Sequence, residues 1–278
     1  MKIHYKTIKI DNALINVLDT DDSNTENPRL LIQGLGCEAK TIWTPLLTKL
    51  HSIGDNRRHI AFDVRGVGRS TGWPDSIKQI TDDATQILSI LKINSVEVVG
   101  HSLGGAIAIL FAARYPKLVK SLALMDSIPR YSDESRSGFR WRVEQIHATN
   151  NIGQILDVVL PRSFGTETKT RRPNVIEKFR LMLSSQSPSV YTQLCELTAT
   201  VDVSDELKMI KVPMLFVVGE EDLATTPEVI RSVATNISAD FAIIPNAGHN
   251  PPLEQPLSVA KVIKEYSERH PVWVKKEH

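Results

Sequence analysis

The sequence Gly100-His101-Ser102-Leu103-Gly104 sets a serine among small residues, after the apolar run Val96 to Val99 and before the apolar stretch Leu103 to Tyr115. Glycines on both sides permit a sharp turn from strand to helix, which lifts the serine hydroxyl clear of the backbone. The amides that open the following helix lack partners of their own and favour negative charge beside that hydroxyl. A hydroxyl is a weak nucleophile at neutral pH, so it needs a base to take its proton and an acid to orient the base. Asp222 and His249 follow in a workable order. Asp222 closes Glu220-Glu221-Asp222 after the apolar Val212 to Gly219, and His249 ends Asn246-Ala247-Gly248-His249 after Phe241 to Pro245. All three fall just beyond the C-terminal ends of predicted strands, the edge where open α/β sheets carry their sites. Asp126 also follows a strand and is a rival acid, as are Glu220 and Glu221. His101, inside the turn, reads as packing or polar support.

The elements that must position these residues follow from hydrophobic periodicity. Ile3 to Ile10 and Ala13 to Leu18, around Asp11-Asn12, predict a tight antiparallel pair at one sheet edge. Asp19 to Pro28 is polar and reads as a loop. Arg29 to Gln33, His59 to Asp63, Val96 to Gly100, Leu122 to Asp126, Val212 to Gly219 and Phe241 to Pro245 read as strands. Helical patterns alternate with them: Lys40 to His51, a helix opening at Thr81-Asp82-Asp83, Leu103 to Tyr115, Pro227 to Ala234 and Leu257 to Arg269. The alternation predicts an α/β fold, a mostly parallel sheet with helices on both faces. It breaks between Pro129 and Asp205, where helical patterns appear at Phe139, Val143 and Ile146, at Ile152, Ile155 and Leu156, and at Ile176, Phe179 and Met182. The expected division is a core over residues 1–128 and 206–278 with a helical cap over 129–205.

Composition narrows the function classes. The chain has 278 residues with 33 Lys or Arg against 32 Asp or Glu. That balance lacks the basic footprint of a nucleic-acid binder. Two cysteines, Cys37 and Cys195, make no disulfide framework. Residues 104–113 form the longest apolar run, too short to span a bilayer. The first residues, Met1 to Lys6, show no apolar signal-peptide core, so a reduced cytoplasm is the expected compartment. No P-loop, H-E-x-x-H or dinucleotide fingerprint occurs, and no cofactor or metal is expected. The expected partner is a small molecule, with no nucleic acid and no membrane; nothing in the sequence sets an oligomeric state.

Two further motifs make the pattern recognisable. Asp63-Val64-Arg65-Gly66-Val67-Gly68-Arg69-Ser70 is similar to the D-x-R-G-x-G-x-S turn of the α/β-hydrolase fold superfamily. Gly248-His249-Asn250-Pro251-Pro252-Leu253-Glu254-Gln255-Pro256 is similar to its G-H-x-x-x-x-E-x-P loop. With the serine turn, the sequence from about Leu30 to Arg269 resembles the capped serine esterase, lactonase and haloperoxidase-like branch of that superfamily. The resemblance implies Ser102 as nucleophile, His249 as base and Asp222 as its acid, with an oxyanion hole from the backbone N–H groups of Leu35 and Leu103. Some members take the acid from the position of Asp126. Members usually carry His-Gly where this chain has Gln33-Gly34, so Gln33 must supply the hydrogen bonds behind that loop.

Trp43 and Trp141 are candidate substrate-binding walls, the alternative for both being aromatic packing in the core or cap. Cys37 reads as a small buried thiol near Leu35, and Arg65 and Arg69 as structural hydrogen-bond donors. The expected function is a cofactor-independent serine hydrolase that cleaves a small to medium carboxylic ester or lactone through an acyl-enzyme. Thioesterase and C–C bond hydrolase chemistry share the triad. A small-molecule receptor or signalling protein with slow or no turnover is the reading from another class.

Overall fold

A computed structural model describes residues 1–20 and 27–270. Most of the loop expected over Asp19 to Pro28 lies outside the described residues. The chain opens with β1 (His4–Ile10) and β2 (Ala13–Asp19), then β3 (Arg29–Ile32), α1 (Ala39–Ser52), β4 (His59–Phe62) and α2 (Ile77–Ile90). Next come β5 (Val96–His101), α3 (Leu103–Arg114) and β6 (Val119–Met125). Six helices follow before the sheet resumes: α4 (Asp133–Thr149), α5 (Gly153–Ser163), α6 (Thr166–Arg171), α7 (Pro173–Ser184), α8 (Pro188–Thr200) and α9 (Ser204–Met209). The chain then runs through β7 (Met214–Gly219), α10 (Pro227–Asn236), β8 (Asp240–Ile244), α11 (Pro251–Glu254) and α12 (Pro256–Arg269).

The eight strands form one sheet in the order β1-β2-β4-β3-β5-β6-β7-β8. β1 pairs antiparallel with β2 and β2 with β4; every other pairing is parallel. Both faces of the parallel strands are covered, which is why the runs Leu30 to Ile32, Ile60 to Phe62 and Val98 to Val99 are apolar without alternation. On one face Ile87 of α2, Phe111 of α3 and Ile230 of α10 pack on Leu30, Val98 and Phe216. On the other, α1 and α12 bury Trp43, Leu46 and Ile263 against Leu31, Val99 and Val217. The edge strand β8 is only half-covered, and Arg231 lies over the ring of its Phe241 at 4.5 Å.

The structure corrects one helix start. α2 begins at Ile77, and the Ser76 side chain accepts the Gln79 N–H at 3.1 Å. Thr81, Asp82 and Asp83 therefore sit inside the helix and cap nothing. Their acids have tertiary partners instead: Asp83 takes Arg65 through two bonds of 2.7 and 2.8 Å, and Asp82 takes the Tyr115 hydroxyl at 2.5 Å.

At the N-terminal edge of the sheet, away from Ser102, a buried ionic network joins three elements. Arg29 on β3 donates to Asp55 at 3.2 Å and to Glu97 on β5 at 3.0 Å, while Ser267 of α12 donates to Glu97 at 2.8 Å. Burial, then the Arg29 charge, pushes His59 down to about 3, so it stays neutral. Its ring nitrogen accepts from Arg29 at 2.9 Å. Removing one partner of such a cluster leaves a buried charge unpaired, a cost of about 3–5 kcal/mol.

Candidate active site

Ser102 follows the last residue of β5 and precedes the first of α3, in a conformation of φ 53° and ψ −124°. L-residues adopt it only under constraint. The constraint is packing. A Cβ on Gly100 would meet the Gly104 carbonyl at 2.5 Å, and one on Gly104 would collide with the Ile32 carbonyl. The two glycines thus let α3 press onto β3 and β5 and leave the serine at the apex. Leu103 is the first residue of α3, so its amide has no carbonyl a turn behind it.

His249 comes from the loop between β8 and α11, and Asp222 from the end of β7. His249 Nε2 lies 2.9 Å from Ser102 Oγ, and His249 Nδ1 lies 2.8 Å from Asp222 Oδ2. Burial raises the cost of charge on Asp222, but His249 and donors from Thr225 and Ala224 outweigh it and hold the carboxyl down to about 2. An ionised carboxylate only accepts, so Nδ1 must donate to it, and Nε2 is left to accept the serine O–H.

The histidine loop is fixed by Glu254. Its carboxylate accepts the amides of Gly248 at 2.9 Å, Asn250 at 3.1 Å and Gly165 at 2.7 Å. The Gly165 bond ties the loop to the inserted helices, and Arg172 donates to the Glu254 carbonyl. His101, buried beneath, donates its Nε2–H to the His249 carbonyl at 2.7 Å; burial, then the His249 charge, takes it down to about 3. It supports His249 and stays neutral.

Leu35 sits in the turn after β3, and Gly34 brings that turn over the serine: a Cβ there would stand 3.0 Å from Ser102 Cβ. Gln33 donates its amide to the Phe62 carbonyl at 2.6 Å and so braces this turn against β4. Asp63 does the same for the entry to α1, accepting the Ala39 N–H at 2.8 Å. Arg65, bound to Asp83, is structural. Cys37 is buried, its thiol pushed up to about 12 by burial and then by Glu38.

A cavity of about 850 Å³ opens above Ser102 and His249. The inserted helices supply much of its wall, through Phe139, Trp141 and Arg142 of α4, Phe179 and Leu183 of α7, and Tyr191 of α8. Trp141 thus borders the cavity. Trp43 does not, and that expectation is corrected: α1 turns it inward with Leu46 and Leu47, fully buried, edge-on to His101 at 6.5 Å between ring centres.

Two site neighbours carry roles that spacing did not reveal. Asp126, at the end of β6, is fully buried; its Oδ1 accepts the Gly219 N–H at 2.8 Å and its Oδ2 has no partner within the protein. Ligand atoms of Asp126, Asp222 and His249 lie within 4.8 Å of one another. Burial, then the charge of Asp222, holds the Asp126 carboxyl well above the usual range. Tyr131 lines the cavity with its hydroxyl beside Ser102 but in no aligned hydrogen bond. Burial pushes that phenol up to about 12, against a pull from Ser102. Its place on the loop leaving β6, at the same sheet edge as the serine, is the signal that could have found it.

Residues 30–256 match the family described as alpha/beta hydrolase fold. The chain is 24% identical over 253 residues to 3-oxoadipate enol-lactonase 1 of Acinetobacter baylyi, covering 90% of this chain and 92% of that one. Its structure is similar to a thermophilic esterase from Thermogutta terrifontis, solved with malate bound, at TM-score 0.82 and 28% identity over 97% of this chain and 100% of the other. It is similar in fold to the enol-lactonase of Burkholderia xenovorans LB400, at TM-score 0.83 and 24% identity over 95% and 100%.

Proposed function

The chain belongs to the alpha/beta hydrolase fold family, and from that premise we propose that it is a serine hydrolase of small to medium carboxylic esters or lactones. The observation that carries this reading is the unbroken relay from Ser102 through His249 to Asp222, at 2.9 and 2.8 Å, on the floor of a cavity walled by both apolar and polar side chains. Relatives named for esters and for a lactone support the substrate class.

In this reading Ser102 Oγ attacks the carbonyl carbon while its proton passes to His249 Nε2. The electron pair of the carbonyl moves to its oxygen, which the amides of Leu35 and Leu103 receive. Each such donor is worth about 3–4 kcal/mol at the transition state. Asp222 holds the imidazole in the tautomer that accepts this proton and stabilises the imidazolium that forms. His249 then returns the proton to the leaving alkoxide, and the acyl group stays on Ser102. Water repeats the cycle, losing a proton to His249 and releasing the acid and Ser102. The relay is complete in protein groups and water. Tyr131, an unsatisfied donor beside Ser102, offers a further hydrogen bond to the oxyanion.

Residues 129–205 act in this reading as a cap that sets substrate shape, and the remaining residues as the catalytic core. The test is a panel of p-nitrophenyl esters of increasing acyl length, with lactones and thioesters beside it, run on the protein and on Ser102→Ala. The variant is expected to fold and to lose hydrolysis by about three to six orders of magnitude. Near-normal turnover without the hydroxyl would remove the serine mechanism.

A further inference from the structure

Charge inside the cavity is unbalanced. Arg142 lines it, half-buried, with its guanidinium carbon 4.9 Å from the centre of the Phe139 ring. Arg162, in the last turn of α5 and itself exposed, lines the same cavity. Neither has a carboxylate within 4.0 Å among the described residues. Two nearby arginines are matched: Arg130, in the loop before α4 and also lining the cavity, lies 3.8 Å from Asp133 and 3.6 Å from Asp202, and Arg180 of α7 lies 2.8 Å from Asp157. Asp133 and Glu134 also border the cavity, but both are exposed, and Asp133 faces Arg130. Asp222 is committed to His249.

A half-buried guanidinium loses hydration, and that loss is offset only where an anion or a π face meets it. Phe139 fixes Arg142 in place without neutralising it. The Arg142 charge also reaches the buried hydroxyls of Tyr131 and Tyr191, favouring their ionised forms against the larger upward push of burial. Arg142 therefore stands on the cavity wall, within electrostatic reach of the Tyr131 hydroxyl beside Ser102 and close to the Tyr191 hydroxyl, with no carboxylate on its fork of donors. Such a fork matches a carboxylate through two parallel bonds, which an ammonium does not.

Resting on the hydrolase reading above, we propose that the substrate is an ester or lactone that carries a free carboxylate, bound by Arg142, with Arg162 attracting it at the cavity wall. The apolar residues between the arginine and the serine would then hold the carbon chain that joins the carboxylate to the scissile carbonyl.

The experiment compares p-nitrophenyl esters matched in length: the mono-esters of glutaric and adipic acid against those of pentanoic and hexanoic acid. The wild type is expected to favour the carboxylate member by about tenfold or more in kcat/KM, mainly through KM. Added salt should shrink the ratio. In Arg142→Gln the ratio is expected to fall towards one, whatever the absolute rate, and Arg142→Lys should recover part of it. Glutarate should also protect Ser102 from fluorophosphonate labelling in the wild type and lose that protection in Arg142→Gln. A wild type that prefers the neutral esters, or an Arg142→Gln that slows both members equally, overturns the carboxylate inference and leaves the hydrolase reading standing. No turnover of either ester, with Ser102 unlabelled, overturns both.

Discussion

Two buried aspartates end neighbouring strands, and their environments drive them apart. Asp222 is stabilised as a carboxylate, while burial and the neighbouring Asp222 charge push Asp126, 0% exposed, towards the neutral acid. In the unfolded chain Asp126 ionises above about pH 4. Its folded value is raised, so the stability it contributes is whole below that pH and is lost as pH rises towards the folded value. Asparagine imitates the neutral acid: its oxygen can still accept the Gly219 N–H, and its amide can face Asp222. Asp126→Asn is therefore expected to melt at or above the wild type at pH 8, with the difference narrowing at pH 5, as thermal unfolding at the two pH values would read. Asp222→Asn should cost about four orders of magnitude in rate, and Asp126→Asn far less; the opposite ranking would place the acid on β6. The Tyr131 hydroxyl is buried without an aligned partner, so Tyr131→Phe should be neutral or stabilising by up to about 1 kcal/mol. It should also lower kcat by about tenfold if the phenol meets the oxyanion. Side chains such as these were hard to read from sequence because their roles arise between strands that are distant in the chain. The turns that carry Ser102 and His249 were legible because glycine punctuates both.

At the level of elements, the sequence displayed most clearly what local chemistry encodes. The elbow and the parallel strands follow from glycine spacing and unbroken apolar runs, and all six apolar runs read as strands are strands. The start of α2 was misread because Asp82 and Asp83 look like capping acids but serve Tyr115 and Arg65, contacts across 18 residues or more. Trp43 was misassigned because periodicity shows that a residue is on an apolar face without showing what that face meets. α8 was not singled out, although it buries Tyr191 and Leu194 and carries a wall of the cavity. The elbow itself predicts its own fragility. Gly104→Ala should destabilise the protein by about 3 kcal/mol or more, because the added carbon meets the backbone of β3 and cannot be accommodated by a rotamer change. Thermal unfolding checks this, and an unchanged melting temperature would mean that α3 does not need to sit so close.

Across the whole molecule, the sheet brings Leu35, Ser102, Asp222 and His249 from four strand ends to one edge, and α4, α5, α7 and α8 of the insertion line the cavity there with aromatic and cationic side chains. If those helices choose the substrate, exchanging Trp141 for smaller residues should move the preferred acyl length at unchanged melting temperature. A uniform loss at every length would make the insertion a structural cover only. Asp222, held down to about 2, stays ionised well below neutral pH. A receptor with an idle triad and a working hydrolase would share this architecture, and covalent chemistry separates them. The most direct measurement is peptide mass spectrometry after treatment with a fluorophosphonate, with ester turnover followed in parallel. The expected result is a single adduct on Ser102 that forms in step with the loss of turnover. An adduct on another residue, or turnover that persists with Ser102 fully labelled, would contradict the assignment of Ser102 as nucleophile.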